Sequence, residues 1–395
     1  NYTHLSYQTI NTLAFQPDQF ERIIENHGKF IENPIEFLKG WDEIEKEDVV
    51  IEDNENSYCL PNWKRAVLKN PNLSGDTYIN EQLENTQKGI LSKIALGKIL
   101  VEGQTRYLCR DLLPLLTDLL RDEVDINKHY LNFLYSRFYM PMGKDDGKEK
   151  IKLEFDKYYA FFRNPHLSRN EQYMMRAFVL PDSKENYEKA EYKDGKKRYE
   201  KYVEYVKLYD KYFGHLTGIV MVPRGSSLPL CLGGADFDGD LVSVVFNQDV
   251  VDAVKNGVYE EKNPKSSDNY KRKLAVIEIP STKAEEVPVP EYVEYDHIKN
   301  TFSNYIGRIS NAAIGIGQVE YDRNRPYDAT FDATKPTCEK CTLLTGLEID
   351  AAKNGSHPNL DIILNNNNHF RGAYLDFLKQ FKKLKVEKNF YLQNL

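Results

Sequence analysis

The spacing of apolar side chains divides the chain near residue 150. Upstream, Phe20, Ile23 and Ile24 fall on one face of a helix that Asp18 can cap, and Ile35, Phe37 and Leu38 open a second near Asn33-Pro34. Residues 42–56 are acidic and read as a loop. Tyr78 to Ile99 is another helix-prone run, and Ile99-Leu100-Val101 before Glu102-Gly103 predicts a strand ending in a turn. Asp111 to Glu123 predicts a short leucine-rich helix with Pro114 in its first turn.

Downstream the texture changes. Tyr158 to Phe162 is an aromatic, strand-like run that stops at Arg163-Asn164-Pro165. Within 182–213, Tyr199, Tyr202, Val206, Tyr209 and Phe213 recur at helical spacing, which predicts an amphipathic surface helix whose charges are a solvated face. Ile219 to Val222, a turn at Pro223-Arg224-Gly225, Leu228 to Leu232 and Leu241 to Phe246 read as short strands joined by tight turns, the pattern of a small β-barrel. Residues 260–290 are polar and carry prolines, as a linker or arm would. Helix-like segments then alternate with loops up to a last helix bearing Tyr374, Phe377, Leu378, Phe381 and Leu384. The expectation is an α+β chain in three parts: a mainly helical 1–150, a barrel at 151–250 with the helix 182–213 inserted, and a mainly helical 251–395.

Composition narrows the class. Of 395 residues, 41% are hydrophobic and 29% charged, which excludes a mostly disordered chain. No apolar stretch approaches the ~18 residues of a membrane span. The start, Asn1-Tyr2-Thr3-His4, has neither an initiator Met nor the basic-then-apolar layout of a signal peptide, so an internal start is expected. Five cysteines, an odd number, point to a reducing, intracellular compartment, cytoplasmic or nuclear. The net charge of -7 does not advertise nucleic-acid binding, which depends instead on local clusters such as Lys379, Lys382, Lys383 and Lys385 and on bound metal.

The chemistry concentrates in Leu232-Gly233-Gly234-Ala235-Asp236-Phe237-Asp238-Gly239-Asp240-Leu241. On a regular strand, carboxylates at i, i+2 and i+4 would share a face but spread over ~13 Å. Gly239 can take positive φ and so permits a turn that gathers Asp236, Asp238 and Asp240 towards one point. Three hard anionic oxygens without His or Cys select Mg²⁺, or Mn²⁺, over zinc. Apolar runs on both sides are expected to pull the triad inside, where a cation must offset the repulsion. An EF-hand loop would need Gly where Leu241 stands and Glu where Asn247 stands, so it fails at both places. The Asp-x-Asp of a metal-dependent nucleotide-sugar glycosyltransferase survives on chemistry alone. Cys338-x-x-Cys341 has no matching second pair and does not read as a zinc site. Gly307, Gly315 and Gly317 suit close helix packing or approach to nucleic acid.

Ala235-Asp236-Phe237-Asp238-Gly239-Asp240 resembles the metal-binding signature of the two-barrel RNA polymerase superfamily, which takes in multisubunit, single-chain phage and cellular RNA-dependent enzymes. Other segments fit in the same order. Arg163-Asn164-Pro165-His166-Leu167 resembles the element preceding the aspartate loop, and Val220 to Gly225 with Gly233-Gly234 is similar to the approach of the RNA-dependent group. Tyr305 to Asn311, Leu347 to Gly355 and the opening Leu5 to Ile10 look like further segments of that group. The resemblance implies a double-psi β-barrel flanked by helical domains, and a nucleotidyltransferase adding NTPs to an RNA 3′ end on a DNA or RNA template by two-metal phosphoryl transfer. It implies that Asp236, Asp238 and Asp240 are catalytic and hold Mg²⁺, that Arg163 meets the nucleotide or its ribose, and that Lys353 lies near template or phosphate.

Two departures stand out. Gly234 replaces the Asn that reads the ribose in the multisubunit enzymes. The second, lysine-bearing barrel of the superfamily is not found, with Lys93 and Lys98 the remaining candidates, so it is expected on a missing N-terminal segment or a partner subunit. A catalytically silent scaffold of polymerase ancestry is the third reading, disfavoured by three intact aspartates.

Overall fold

A computed structural model of the chain describes residues 2–33, 35, 38, 62–119, 137–142, 152–190, 195–261, 270–274, 295, 298–299, 303–321 and 335–364. The acidic stretch 42–56, most of the polar stretch 260–290, the last helix around Tyr374 and the lysines from Lys379 to Lys385 lie outside those residues.

The sheet is organised by one long strand. β1 (Tyr2–Leu5) lies antiparallel on the start of β2 (Ile99–Arg110), with His4 opposite Leu100. β2 does not turn at Glu102-Gly103 as the sequence suggests. A Cβ at Gly103 would sit 2.7 Å from the Val244 carbonyl oxygen and 2.8 Å from Thr3 Cγ2, so the glycine lets neighbouring strands close in on both sides. β3 (Arg137–Phe138), β4 (Tyr158–Phe162), β5 (Tyr173–Ala177), β6 (Ile219–Val222) and β7 (Leu241–Val245) complete it.

The order is β1-β2-β7-β4-β5-β3, with β6 parallel to β2 on its other half. The β2–β7, β7–β4 and β4–β5 pairs are antiparallel and β3–β5 is parallel. Just past β3, the Tyr139 N–H donates to the Met221 oxygen at 3.0 Å and the Met221 N–H donates back at 2.7 Å. That bridge joins β3 to β6, so β2, β7, β4, β5, β3 and β6 form a closed ring. Two of its strands, β2 and β3, come from upstream of residue 151, inside the stretch read as mainly helical. Phe138, Phe161, Leu108, Val220, Val242 and Val244 fill one core of the ring, Phe138 meeting Phe161 edge-on at 4.9 Å. Burying an aromatic side chain of this size contributes roughly 2–3 kcal/mol.

Helices cover the ring. α1 (Tyr7–Thr12) and α2 (Pro17–Glu32) pack Leu13, Phe15 and Ile23 on a second apolar cluster. α3 (Asn62–Lys69) and α4 (Thr77–Ala95) follow, the latter N-capped by Asp76. α5 (Leu113–Leu119) begins where the Leu113 N–H donates to Asp111 Oδ1 at 3.0 Å, with Pro114 in its first turn as expected. The stretch 182–213 holds two helices, α6 (Lys184–Ala190) and α7 (Gly195–Phe213). Tyr202, Val206, Tyr209 and Phe213 are buried against Tyr139 and Phe178, so the spacing read from sequence marks the inner face correctly.

Leu228 to Leu232, read as a strand, is instead a short helix, α8 (Leu228–Cys231), started by Pro229 in its first turn. α9 (Gln248–Val258) is capped by Asn247 and leads into the hairpin β8 (Tyr259–Glu261) and β9 (Tyr270–Arg272). α10 (Ile306–Glu320), α11 (Cys338–Asn354) and α12 (Asp361–Leu364) pack together around Ile309, Ile316, Cys338 and Ile363, with Leu167 reaching in from the ring side.

Candidate metal centre

The loop 233–240 runs from the end of α8 into β7 and closes on itself through its own carboxylates. The Asp236 N–H donates to Asp240 Oδ2 at 2.9 Å, and the Asp238 N–H donates to Asp236 Oδ1 at 3.0 Å. Gly239, at φ 124°, makes the turn that an L side chain would resist. One oxygen from each of Asp236, Asp238 and Asp240 lies within 4.8 Å of the others. The sequence spacing therefore does converge as expected.

The triad is not pulled inside. Leu232 and Val242 are buried on either side, yet Asp236 and Asp238 are exposed and Asp240 is half-buried. The flanking apolar runs point into the ring while the alternation of the strand start throws the acids to its mouth. Proximity rather than burial makes the cluster ask for a cation. Hydrogen bonds from Asp238 hold the Asp236 carboxyl below the usual range, helped by the charges of Arg163 and Lys353. The same contact and repulsion from Asp236 push Asp238 up, so the pair favours sharing a proton. Three hard oxygens competing in this way fit a divalent cation of the Mg²⁺ class.

Arg163, just past β4, is brought directly onto the loop. Its Nε lies 2.9 Å from Asp240 Oδ2, one terminal nitrogen donates to Asp240 Oδ1 at 3.1 Å, and the other donates to the Gly233 carbonyl at 3.1 Å. This two-pronged pairing fixes the plane of the Asp240 carboxylate. Lys353, in the last turn of α11, pairs with Asp350 at 3.2 Å and stays exposed, its charge still acting on Asp236. Lys93 and Lys98 are not brought to the aspartates. They flank the Ile99 end of β2, whereas the Leu108 N–H, near its other end, donates to the Asp240 carbonyl at 2.8 Å. Nine residue steps lead from Ile99 to Leu108, roughly 30 Å along the strand.

Glu171 is the residue that sequence reading missed. It lies in a buried 3-10 turn (Arg169–Glu171) opened by a Ser168 capping box. Its Oε2 accepts from the Leu167 N–H at 2.7 Å, the Ser168 N–H at 2.9 Å and the Thr342 hydroxyl at 3.2 Å. Burial pushes this carboxyl up to about 7 despite those donors. Its other oxygen occupies the space a side chain at Gly233 would need, so Gly233, at φ 60°, is demanded by both backbone and neighbour. The Ser-x-x-Glu spacing at 168–171 was the available signal. Beside it His166 is fully buried, pushed down to about 3 by that burial, and its Nε2 meets Thr12 Oγ1 at 2.8 Å. On the outer side of the loop, the Arg110 guanidinium stacks 4.7 Å over Phe237.

Cys338 and Cys341 stand in the first turn of α11, both buried in the helical core, and burial pushes both thiols up. They behave as apolar core residues, not a zinc pair. Gly317 serves close helix packing: a Cβ there would sit 2.6 Å from Asn11 Nδ2 and 3.3 Å from Cys338 Sγ. Among the described residues, no helix is long and apolar enough to cross a membrane.

Residues 201–394 match the family profile described as RNA dependent RNA polymerase. No curated protein matches the chain. Among solved structures, the chain is similar to RNA dependent RNA polymerase QDE-1 from Thielavia terrestris, at 13% identity and a TM-score of 0.43. That match covers 93% of this chain and 36% of the other, so the chain spans about a third of that protein's length.

Proposed function

We propose that the chain, whose residues 201–394 match the RNA dependent RNA polymerase profile, supplies the metal-bearing barrel of a template-directed RNA polymerase. The observation that carries the reading is the gathering of Asp236, Asp238 and Asp240 at the mouth of the closed ring. In this reading the ring is the double-psi β-barrel, with helical regions before and after it. In the same reading the template is single-stranded RNA, following the description of the matched profile, with DNA as the alternative, and the enzyme works in the cytoplasm or nucleus.

The three aspartates hold Mg²⁺, for which Mn²⁺ can substitute. A divalent ion held there would supply Lewis-acid activation of an RNA 3′-hydroxyl and charge neutralisation at the pyrophosphate leaving group, the chemistry of two-metal phosphoryl transfer. The chain's own residues prepare this. Asp236 and Asp238 keep their carboxylates exposed to the incoming strand, while Arg163 fixes Asp240 and turns its remaining edge towards the nucleotide ribose. Lys353, exposed and paired with Asp350, offers a positive charge for a template phosphate. Among the described residues, the cations acting on the aspartates are Arg163 and Lys353, and Lys93 and Lys98 are far away. In this reading the catalytic lysines belong to a second barrel, on a further segment or a partner subunit.

A glycosyltransferase would set its Asp-x-Asp at a strand end of an open α/β sheet. The closed, largely antiparallel ring gives that reading no support. The deciding experiment is a primer-free synthesis assay in Mg²⁺ with single-stranded RNA and DNA side by side. It is run on the chain alone and with the lysine-bearing barrel supplied in trans. RNA-templated synthesis only in the supplemented reaction is the expected result. Robust synthesis by the chain alone would overturn the second-barrel assignment, and sugar transfer from a nucleotide sugar without any polymerisation would overturn the polymerase.

A further inference from the structure

Two arginines reach the aspartate loop, and they hold it in different ways. Arg163 takes hold of charge, pairing with both oxygens of Asp240 and donating to the Gly233 carbonyl. Arg110 takes hold of the ring between the other two acids, its guanidinium lying 4.7 Å over Phe237. Asp236 and Asp238 stand on either side of that ring and are exposed. Among the described residues, their hydrogen bonds stay within the loop, from the Asp238 N–H to Asp236 Oδ1 and from the Asp236 N–H to Asp240 Oδ2. Phe237 is therefore what ties this arm of the loop to the body of the ring. It is half-buried and packs against the apolar cluster that holds Leu108, Val222 and Val242.

The root of Arg110 is rigid. It is the last residue of β2, opposite Val222 of β6, and the next N–H, of Asp111, donates to the Val222 oxygen at 3.0 Å. Asp111 is pinned in turn by the Tyr209 hydroxyl at 2.7 Å and the Leu113 N–H at 3.0 Å. Two residues back along the strand, the Leu108 N–H holds the Asp240 carbonyl at 2.8 Å. One strand thus meets the loop twice, by a backbone hydrogen bond at its last acid and by a guanidinium at its middle.

The kind of contact matters to a cation site. A guanidinium paired with Asp236 or Asp238 would compete with a metal ion for the same oxygens. Over an aromatic face it is drawn to the ring instead, and among the described residues Arg110 makes no ion pair with either acid. The grip steadies the two exposed ligands and leaves their oxygens to the ion. Three acids within 4.8 Å of one another repel, so a loop without a hold on its middle would spread.

We infer that Arg110 is a positioning residue of the metal centre, acting through Phe237 to hold Asp236 and Asp238 at the spacing a divalent cation needs. This role rests on the reading of the three aspartates as a metal centre. Its size is bounded by the stack. Freed of the clamp, the loop visits other spacings, and its affinity for the ion falls with the population of the right one. A cation–ring stack at an exposed site sets that factor at roughly two- to fivefold. Charge acts in the opposite sense. Arg110 repels a dication, so removing it favours binding to the extent that salt does not screen it.

The test is a double-mutant cycle on the whole chain, with Mn²⁺ affinity read from the free-ion EPR signal and thermal unfolding as the check that each variant is folded. Phe237→Leu keeps the charge and loses the stack, so Mn²⁺ should bind roughly two- to fivefold more weakly. Arg110→Ala made in that background has no stack left to remove, so it should leave the affinity unchanged or raise it. In the wild-type background the same substitution should lower the affinity, relative to that second effect, by roughly two- to fivefold. Arg110→Lys, which keeps a cation for the ring, should restore part of the loss. A merely structural Arg110 would change the Mn²⁺ affinity by one and the same factor in both backgrounds. That equality overturns the clamp and leaves the metal centre in place. A wild-type chain that binds no Mn²⁺ overturns the metal centre itself, and the clamp with it.

Discussion

Glu171 allows the sharpest test of how the loop is supported. Its carboxyl is fully buried and carries an affinity for protons raised from the usual 4.5 to about 7, chiefly by that burial. At about 1.4 kcal/mol per tenfold change in proton affinity, the difference amounts to about 3 kcal/mol. The sign follows from which state holds the proton. Between pH 4.5 and 7 the folded chain keeps it and the unfolded chain does not, so stability rises as pH falls through that window. Above pH 7 both states are ionised and the fold bears the whole cost of the buried charge.

The perturbation is Glu171→Gln. All three donors, from Leu167, Ser168 and Thr342, converge on one oxygen, which the amide oxygen can replace. The assay is urea unfolding of both proteins at pH 5 and pH 8, and only the difference between them is read, because other buried acids such as Glu320, pushed up to about 8, titrate in both. Between those two pH values, the variant should gain about 2.5 kcal/mol relative to wild type. Parallel pH dependence in the two proteins would refute the claim that Glu171 is a costly buried charge.

Asp238→Asn should abolish Mn²⁺ binding, followed by the loss of free-ion EPR signal, while thermal unfolding stays at or above wild type, since the lost charge was repelled by Asp236. Gly233→Ala meets both a left-handed backbone and the fixed Glu171 carboxyl, so it should lower stability by about 2 kcal/mol or more in urea unfolding and weaken Mn²⁺ binding as the loop shifts. Tyr209→Phe removes the hydroxyl that donates to Asp111 Oδ1 at 2.7 Å, leaving a buried carboxylate short of a partner, and should cost about 1–3 kcal/mol.

The aspartate cluster was legible because everything that forms it is local: three acids on alternate positions, a glycine at the turn, and no long-range partner needed to bring the oxygens together. Its exposure was not legible, because apolar neighbours on a strand start say where their own side chains go and nothing about the residues between them. The inner face of α7 could be read from period alone. β2 could not, since it is held by β7 and β6, more than a hundred residues on, and Gly103 signals a turn to any local rule. Glu171 sits in a polar run that reads as surface. It is buried only because α10 and α11 close over it with Tyr321, whose hydroxyl accepts the Arg169 N–H at 3.0 Å, and with Thr342.

The ring closes at its thinnest point through the Tyr139–Met221 bridge, and what lies over that point is α7. The Tyr139 ring packs 5.0 Å from Tyr209, and its hydroxyl donates to Asp210 Oδ1 at 2.9 Å. A ladder of only two hydrogen bonds has little cooperativity of its own, so the helix serves it as a clasp on a hoop. The insertion between β5 and β6, whose lysines and glutamates give it the look of an ornament, is then the fastening of the vessel, and whatever loosens it would pass through β6 to its direct neighbour β2 and so to the strands that present the aspartates.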